Sequence, residues 1–295
     1  MIKTIGIIGQ GFVGTAIREK FRNYFEVLAY DKKWSFAKKF SNQGAYRTAY
    51  NGNIKDLCKF TDVIFVCVPT PMYEDGECDI SIVNLVLQEI YDYNFTGDVI
   101  IKSTIPPGTT KKFNKMFKKL KISFSPEFLT EANANDDFDK QNRIIIGSDN
   151  KTENIVEMFK KVFPKAKIIT IPSKEGEMVK YTTNCFLATK VSFFNDIYNF
   201  CNNKEIDYNT VIKSVLLDTR IGKSHTMVPG PDGDFGYGGH CFPKDMNALL
   251  YESKGNTPMP TIEGAEKTNK FVRSHKDWEK MENRAVSKKR ENINI

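Results

Sequence analysis

Cys241 stands in the run Gly238-Gly239-His240-Cys241-Phe242-Pro243-Lys244-Asp245, which holds more chemistry than any other stretch of the chain. Two glycines let backbone approach a ligand closely, and Pro243 suits the first turn of a helix. A cysteine at a helix N-terminus feels the positive end of the dipole, which favours the nucleophilic thiolate. Asp245 follows four residues later, so a helix starting here puts both side chains on one face. Two further pairs share that spacing, Lys180 with Asn184 and Glu127 with Glu131. Such pairs are common on solvated helices. Their weight here comes from a second motif at the start of the chain.

Gly9-x-Gly11-x-x-Gly14 directly follows the apolar run Ile5–Ile8 and precedes a helix-compatible stretch. In a dinucleotide site the three glycines serve a tight turn, room for a pyrophosphate and close helix–strand packing. Asp31 ends the next apolar run, 17 residues after Gly14. A carboxylate there can bond ribose hydroxyls, which favours NAD over NADP, although Lys32 and Lys33 could partly accommodate a phosphate. A redox cofactor beside a nucleophilic thiol suits few reaction types.

These residues need a scaffold, and the first half of the chain supplies a pattern for one. Ile5–Ile8, Val27–Tyr30, Val63–Val68, Val99–Ile101, Ser123–Phe124, Ile144–Ile146 and Ile168–Ile171 read as strands. Helical stretches such as Thr15–Asn23 and Ile80–Tyr93 lie between several of them, so the fold class is α/β with an N-terminal doubly wound Rossmann domain. Ligands bind at the carboxyl ends of such strands, where Thr70 and the Lys102-Ser103-Thr104 run fall. Hydroxyls at those positions are turn formers as often as ligand contacts.

Near Ser173 the pattern changes to one long helical stretch, Glu175–Lys204, fit to link two domains or to pack on a second subunit. Helices at Tyr208–Leu217, from Pro243 onward and at Ala265–Val272 then predict a small α-helical central domain. The expected division is 1–175 for cofactor binding and 176–273 for the long helix and central domain. Residues 274–295 read as a charged, flexible tail, with little apolar periodicity beyond Trp278 and Met281.

Composition narrows the function classes. Apolar residues make up 40% and charged residues 27% of the 295, as in an ordinary soluble protein. The net charge of +7 is spread over dispersed lysines with only eight arginines, which argues against nucleic-acid binding. The six cysteines show no CxxC spacing, so neither a disulfide framework nor a metal site is expected. No apolar run is long enough for a membrane span and no signal peptide is evident, which points to the cytoplasm.

The chain resembles the UDP-glucose/GDP-mannose dehydrogenase family, most closely its UDP-glucose 6-dehydrogenases. The matching stretches are Gly6–Gly14, Asp62–Asp79, Lys102–Thr110, Ser125–Glu131, Arg143–Gly147, Glu177–Asn195, Asp218–Gly222 and Phe235–Asp245. GGHCFPKD with the upstream Lys-x-x-x-Asn is highly specific. Gly176-x-x-x-Lys180-x-x-x-Asn184 alone also resembles β-hydroxyacid dehydrogenases, which need no thiol.

The resemblance implies oxidation of a sugar C6 alcohol to the carboxylate with two NAD, through a thiohemiacetal and a thioester on Cys241. It gives Lys180, Asn184 and Asp245 charge and proton handling, and Glu127 (or Glu131) with Thr104 the hydrolytic water. It places Thr70 and Glu131 near NAD, and Phe128, Leu129, Arg220, Phe235, Gly236, Gly238 and Gly239 near the nucleotide sugar. It further implies a homodimer through the 175–204 helix, with Arg220 acting across the interface. Family members continue into a second Rossmann-like domain, whereas this chain stops at Ile295. The resemblance therefore leaves three expectations: a shortened enzyme, half of a split enzyme with a separate partner, or a copy without turnover.

Overall fold

The computed structural model describes residues 2–33, 48–50, 53–129, 133–255 and 257–287, with side chains at 48–50 outside the description. The chain divides into two compact units. The first comprises Met1–Thr70 and Ile80–Lys180, and the second Pro71–Asp79 and Tyr181–Ile295. The division falls at Lys180–Tyr181, inside the long helix, and gives the 71–79 segment to the second unit.

In the first unit the described residues form eight strands. They are β1 (Thr4–Ile8), β2 (Glu26–Tyr30), β3 (Thr48–Tyr50), β4 (Val63–Val66), β5 (Asp98–Ile101), β6 (Lys121–Phe124), β7 (Arg143–Gly147) and β8 (Lys167–Ile171). Between them run α1 (Phe12–Phe21), α2 (Ile54–Phe60), α3 (Ser81–Asp92), α4 (Thr109–Met116), α5 (Ala134–Asp139) and α6 (Glu153–Val162). The strand order is β3-β2-β1-β4-β5-β6-β7-β8. Its first six positions are the doubly wound Rossmann order, with the switch point between β1 and β4. β3, three residues long, is absent from the sequence reading because so short a run carries no alternation to detect.

Alternation along each strand feeds a core on both faces. Ile5, Ile7, Val27, Ala29 and Phe65 pack with Ile17 and Phe21 of α1 and with Phe159 of α6. On the opposite face Ile8, Ile64, Val66 and Val99 pack with Leu57 of α2, Leu87 of α3 and Phe113 of α4. Most of these side chains are fully buried, at ~1.5–3 kcal/mol for each large one.

The sheet changes character between β6 and β7. That pair is antiparallel and joined at the single register point Phe124↔Gly147. Side chains stitch the rest: Asn150, just after β7, donates to Ile122 O (3.1 Å), and Ser123 bonds Ser148 (2.8 Å), while Asn114 of α4 holds Ile122 through its O (2.8 Å) and N (3.0 Å). Beyond the seam, β7 and β8 are parallel and in register over five residues.

Helix α7 (Ser173–Asn203) begins in the first unit and continues in the second. Its start is fixed by two devices. A Cβ on Gly176 would lie 2.8 Å from the Gly147 Cα, closer than real Cβ contacts come, so a glycine at 176 permits this approach of helix and strand. Glu177, fully buried, accepts from Gly108 N and from Thr110 N (2.7 Å), capping the amino end of α4. Burial raises the Glu177 pKa, and the hydrogen bonds it accepts only partly offset this.

The second unit contains α8 (Tyr208–Val215), α9 (Phe242–Ser253) and α10 (Pro260–Val272) besides the rest of α7. Phe194, Cys201, Tyr208 and Val228 make one core cluster. Met72, Trp278 and Ala285 make another. The reading of 274–295 as a flexible tail is therefore corrected for 274–287. That segment forms a 3-10 turn at Asp277–Lys280, buries Trp278, and joins the 71–79 segment through Met72 N→Ala285 O (2.9 Å) and Ser287 Oγ→Asp79 Oδ2 (2.7 Å). Its partners lie some 200 residues away in sequence, out of reach of local periodicity. Residues 288–295 lie outside the described residues.

Candidate active site

The glycine turn occupies the carboxyl end of β1. Gly9 takes φ +90°, and a Cβ there would lie 2.5 Å from the Cys67 carbonyl oxygen. Gly14 is tighter, since its Cβ would lie 1.9 Å from the Gly9 carbonyl oxygen. Gly11 differs: a Cβ there meets nothing within 4 Å. The protein thus leaves open the space ahead of the second glycine. Gly11 also heads α1, whose first turn carries no acidic residue and no side-chain cap. A helix start with open space before it fits a pyrophosphate. Asp31, at the end of β2, accepts from Gln10 N (2.8 Å) and Lys33 N (2.8 Å), which aims the carboxylate at the turn. The residues fit NAD.

Further along the carboxyl edge of the sheet, Thr70 and Thr104 are buried in the loops after β4 and β5. The loop after β6 carries Glu127, Phe128 and Leu129. Lys180 reaches this loop from α7, its Nζ donating to the Glu127 carbonyl (2.6 Å) and to Oε1 (3.1 Å). Leu129 N donates to Oε2 (2.7 Å). Burial alone would raise the Glu127 pKa, but the Lys180 ammonium, the Leu129 amide and Lys102 hold it below the ordinary value. Glu127 is thus an ionised, buried carboxylate, the form that accepts a proton. Two cations lie over the Phe128 ring, the Arg143 guanidinium 4.7 Å and the Lys180 ammonium 5.5 Å from its centre. Glu131 and its four-residue spacing from Glu127 lie outside the described residues.

Lys102 entered the sequence reading only as part of the Lys102-Ser103-Thr104 run, with no role of its own. It is buried, and its Nζ donates to Ser125 Oγ (3.2 Å) and Pro126 O (3.2 Å), anchoring the segment just before Glu127. Burial lowers its pKa to about 8. Its local signal was its place directly after the apolar run Val99–Ile101.

In the second unit Cys241 occupies the position before the first residue of α9, with Pro243 in the first turn. The thiol is half-buried. Asp245, one turn on, is 1% exposed. Its Oδ2 accepts from Asn184 Nδ2 (2.6 Å) and its Oδ1 from Lys244. Burial acts against the Lys244 charge, but Asp245, together with Cys78 and Cys241, outweighs it and raises that pKa above the ordinary lysine range. Lys180 and Asn184, four apart on α7, thus bond different carboxylates, Glu127 and Asp245. Lys244 stood inside the octapeptide, but nothing local marked it as the partner of its own neighbour.

The remaining candidates also lie in the second unit. Arg220 is exposed, its guanidinium forked onto Asp218 (Nε–Oδ1 2.9 Å). Phe235, Gly236, Gly238 and Gly239 form the loop that leads into Cys241. Gly236 and Gly239 take positive φ, +68° and +72°, as the glycine-rich sequence requires. Among the described residues no helix is long and apolar enough to cross a membrane.

A Rossmann-ordered sheet with an open glycine turn defines an NAD-binding scaffold, and the chain continues from it into a helical unit that heads a helix with a thiol. Residues 35–167 match the NAD binding domain of the UDP-glucose/GDP-mannose dehydrogenase family, and residues 174–271 match its central domain. The chain belongs to that family.

A UDP-glucose 6-dehydrogenase of Bacillus subtilis is 36% identical over 239 residues, covering 78% of this chain and 50% of the relative. One of Campylobacter jejuni is 33% identical over 288 residues, covering 90% of this chain and 72% of the relative. The solved UDP-glucose dehydrogenase of Pyrobaculum islandicum superposes with a TM-score of 0.81 at 26% identity, covering 92% of this chain and 68% of that one. The chain spans about half the length of several curated relatives it matches.

Proposed function

We propose that the chain oxidises the C6 alcohol of a nucleotide sugar, with UDP-glucose the first candidate, to the carboxylate. The observation that carries this reading is Cys241 at the head of α9, one turn before an Asp245 held by Asn184 at 2.6 Å. Alcohol to acid is a four-electron change, and NAD bound at the glycine turn would accept two electrons in each of two oxidations. Lys180, Asn184 and Asp245 stabilise charge developing on the substrate oxygen and take up its proton. The Cys241 thiolate adds to the aldehyde and keeps it from escaping, so that the second oxidation yields a thioester. Glu127, already ionised, is the base for the water that releases the acid, with Thr104 placing that water. Arg220, Phe128, Leu129 and the Phe235–Gly239 loop are the proposed contacts to the nucleotide sugar.

The test follows NADH formation with UDP-glucose, UDP-N-acetylmannosamine and GDP-mannose. Turnover with one of them is expected; none with any, from folded protein and NAD, overturns the stand-alone enzyme. Cys241→Ser should abolish acid formation, and full retention would overturn the covalent route in favour of a two-electron hydroxyacid-type reaction.

A second reading is an NAD-binding half that acts with a separate partner. Activity appearing only on mixing with such a partner would distinguish it. Pairing of two copies through α7 is part of either reading. Phe186, Phe193 and Phe200 recur every seven residues along α7 and are 64%, 56% and 59% exposed, a stripe suited to a matching helix. A monomeric mass at micromolar concentration would remove the dimer.

A further inference from the structure

The loop before Cys241 is gripped by side chains from outside it. Gly236 N donates to Asn195 Oδ1 (3.1 Å) and Tyr237 N to Asn269 Oδ1 (2.7 Å), and Asn269 Nδ2 returns to Tyr237 O (3.1 Å). Gly239 N donates to Asp277 Oδ2 (2.9 Å). Asp277 is held in turn by Arg273, whose Nη2 pairs with Asp277 Oδ1 (3.0 Å) and Asp232 Oδ2 (2.7 Å). The same guanidinium donates through Nη1 to Phe235 O (3.4 Å). The grip is close: a Cβ on Gly238 would lie 2.2 Å from Arg273 Nη2 and 2.4 Å from Asp277 Oδ1. The glycine at 238 therefore makes room for this ion pair.

An arginine side chain only 3% exposed is a costly way to gain stability. Burying charge takes back most of what pairing contributes, and apolar residues of equal volume often serve as well. What an ion pair offers in addition is a fixed direction for each bond. Its target here is the amide of Gly239, two residues before the thiol.

We infer that Arg273 and Asp277 are positioning residues for Cys241, fixing through the Gly239 amide the turn that sets the thiol at the head of α9. The inference rests on the proposed role of Cys241 as nucleophile. Asp277 touches neither substrate nor cofactor in this account. It acts by keeping the loop in the left-handed turns at Gly236 and Gly239, so that the chain enters α9 with Cys241 at its N-cap position.

The test measures alkylation of Cys241 by iodoacetamide in the intact chain at pH 7.5, with Cys241→Ser subtracting the other five cysteines. Asp277→Ala is expected to slow alkylation roughly five-fold or more, because a loosened turn takes the thiol off the helix start. Asp277→Asn keeps an acceptor for the Gly239 amide and should stay within about two-fold of the parent. Should Asp277→Ala fail to fold, the double variant Arg273→Met with Asp277→Leu removes both charges at once and should show the same slowing. An alkylation rate unchanged or raised in Asp277→Ala or in the double variant overturns the inference. So does an Asp277→Asn chain as slow as Asp277→Ala. A contact that merely stabilised the fold would lower the unfolding midpoint and leave the thiol's rate alone. Alkylation needs no turnover, so failure of the Cys241→Ser assay would sink the covalent mechanism separately.

Discussion

Lys102 allows a prediction whose sign depends on pH. Its ammonium lies in a site 5% exposed, between the neutral oxygens of Ser125 and Pro126. Burial is the main cause that takes its pKa from 10.5 to about 8. At ~1.4 kcal/mol for each pH unit, keeping the charge in the folded protein costs about 3 kcal/mol below that value. The unfolded chain holds its proton to a pH near 10.4, so between about 8 and 10 it binds one proton more than the folded chain. Wild-type stability should therefore rise across that window as the cost is relieved.

Lys102→Met removes the charge and also two hydrogen bonds, which are worth ~1 kcal/mol each. The variant is expected to be about 1 kcal/mol more stable than the parent at pH 7 and about 2 kcal/mol less stable near pH 10.5. Urea unfolding of both chains at the two pH values measures this, and taking the difference cancels every other titrating group. A stability difference that stays constant from pH 7 to 10.5 would refute the reasoning. NADH formation by the variant should fall at both pH values, because the Pro126 anchor of the Glu127 segment is gone.

Three further outcomes follow from the geometry. Gly14→Ala places a methyl 1.9 Å from the Gly9 carbonyl and should destabilise the fold by several kcal/mol, whereas Gly11→Ala should fold normally and lose about ten-fold in NAD affinity; thermal melts with and without NAD separate the two. Asn184→Ala strips the buried Asp245 of its 2.6 Å donor and should cost roughly 1–3 kcal/mol in denaturant melts, together with most NADH formation. Trp278→Ala empties the cluster that ties 274–287 to Met72 and should cost about 3–5 kcal/mol, and a loss below ~0.5 kcal/mol would mean that this segment adds little to the second unit.

The parts legible in the sequence are those whose signal is local. β1, the glycine turn and Asp31 fall within some thirty residues, and each glycine's role depends on atoms close to it in the fold. The length of α7 was visible because only one glycine and no proline interrupt it. What stayed hidden was pairing across long separations. The spacing of Lys180 and Asn184 gave a shared face but not the fact that their partners, Glu127 and Asp245, lie 118 positions apart. Asn195, Asn269 and Asp277 look like ordinary polar residues until the glycine loop's amides are counted. The 274–287 segment read as a tail because its apolar residues complete a cluster begun at Met72.

The antiparallel seam between β6 and β7 divides the sheet in its resistance to opening. Elsewhere neighbouring strands share ladders of backbone bonds; here one register point and a few asparagine and serine side chains carry the join. A join of one backbone register point and a few side-chain bonds opens more readily than a full ladder, so amide-exchange protection should fall in two blocks, β1–β6 and β7–β8. The second block carries Gly147, against which the first turns of α7 are packed. A rare opening of the seam would free the amino end of the helix that bears Lys180, and the ammonium that keeps Glu127 ionised would leave with it.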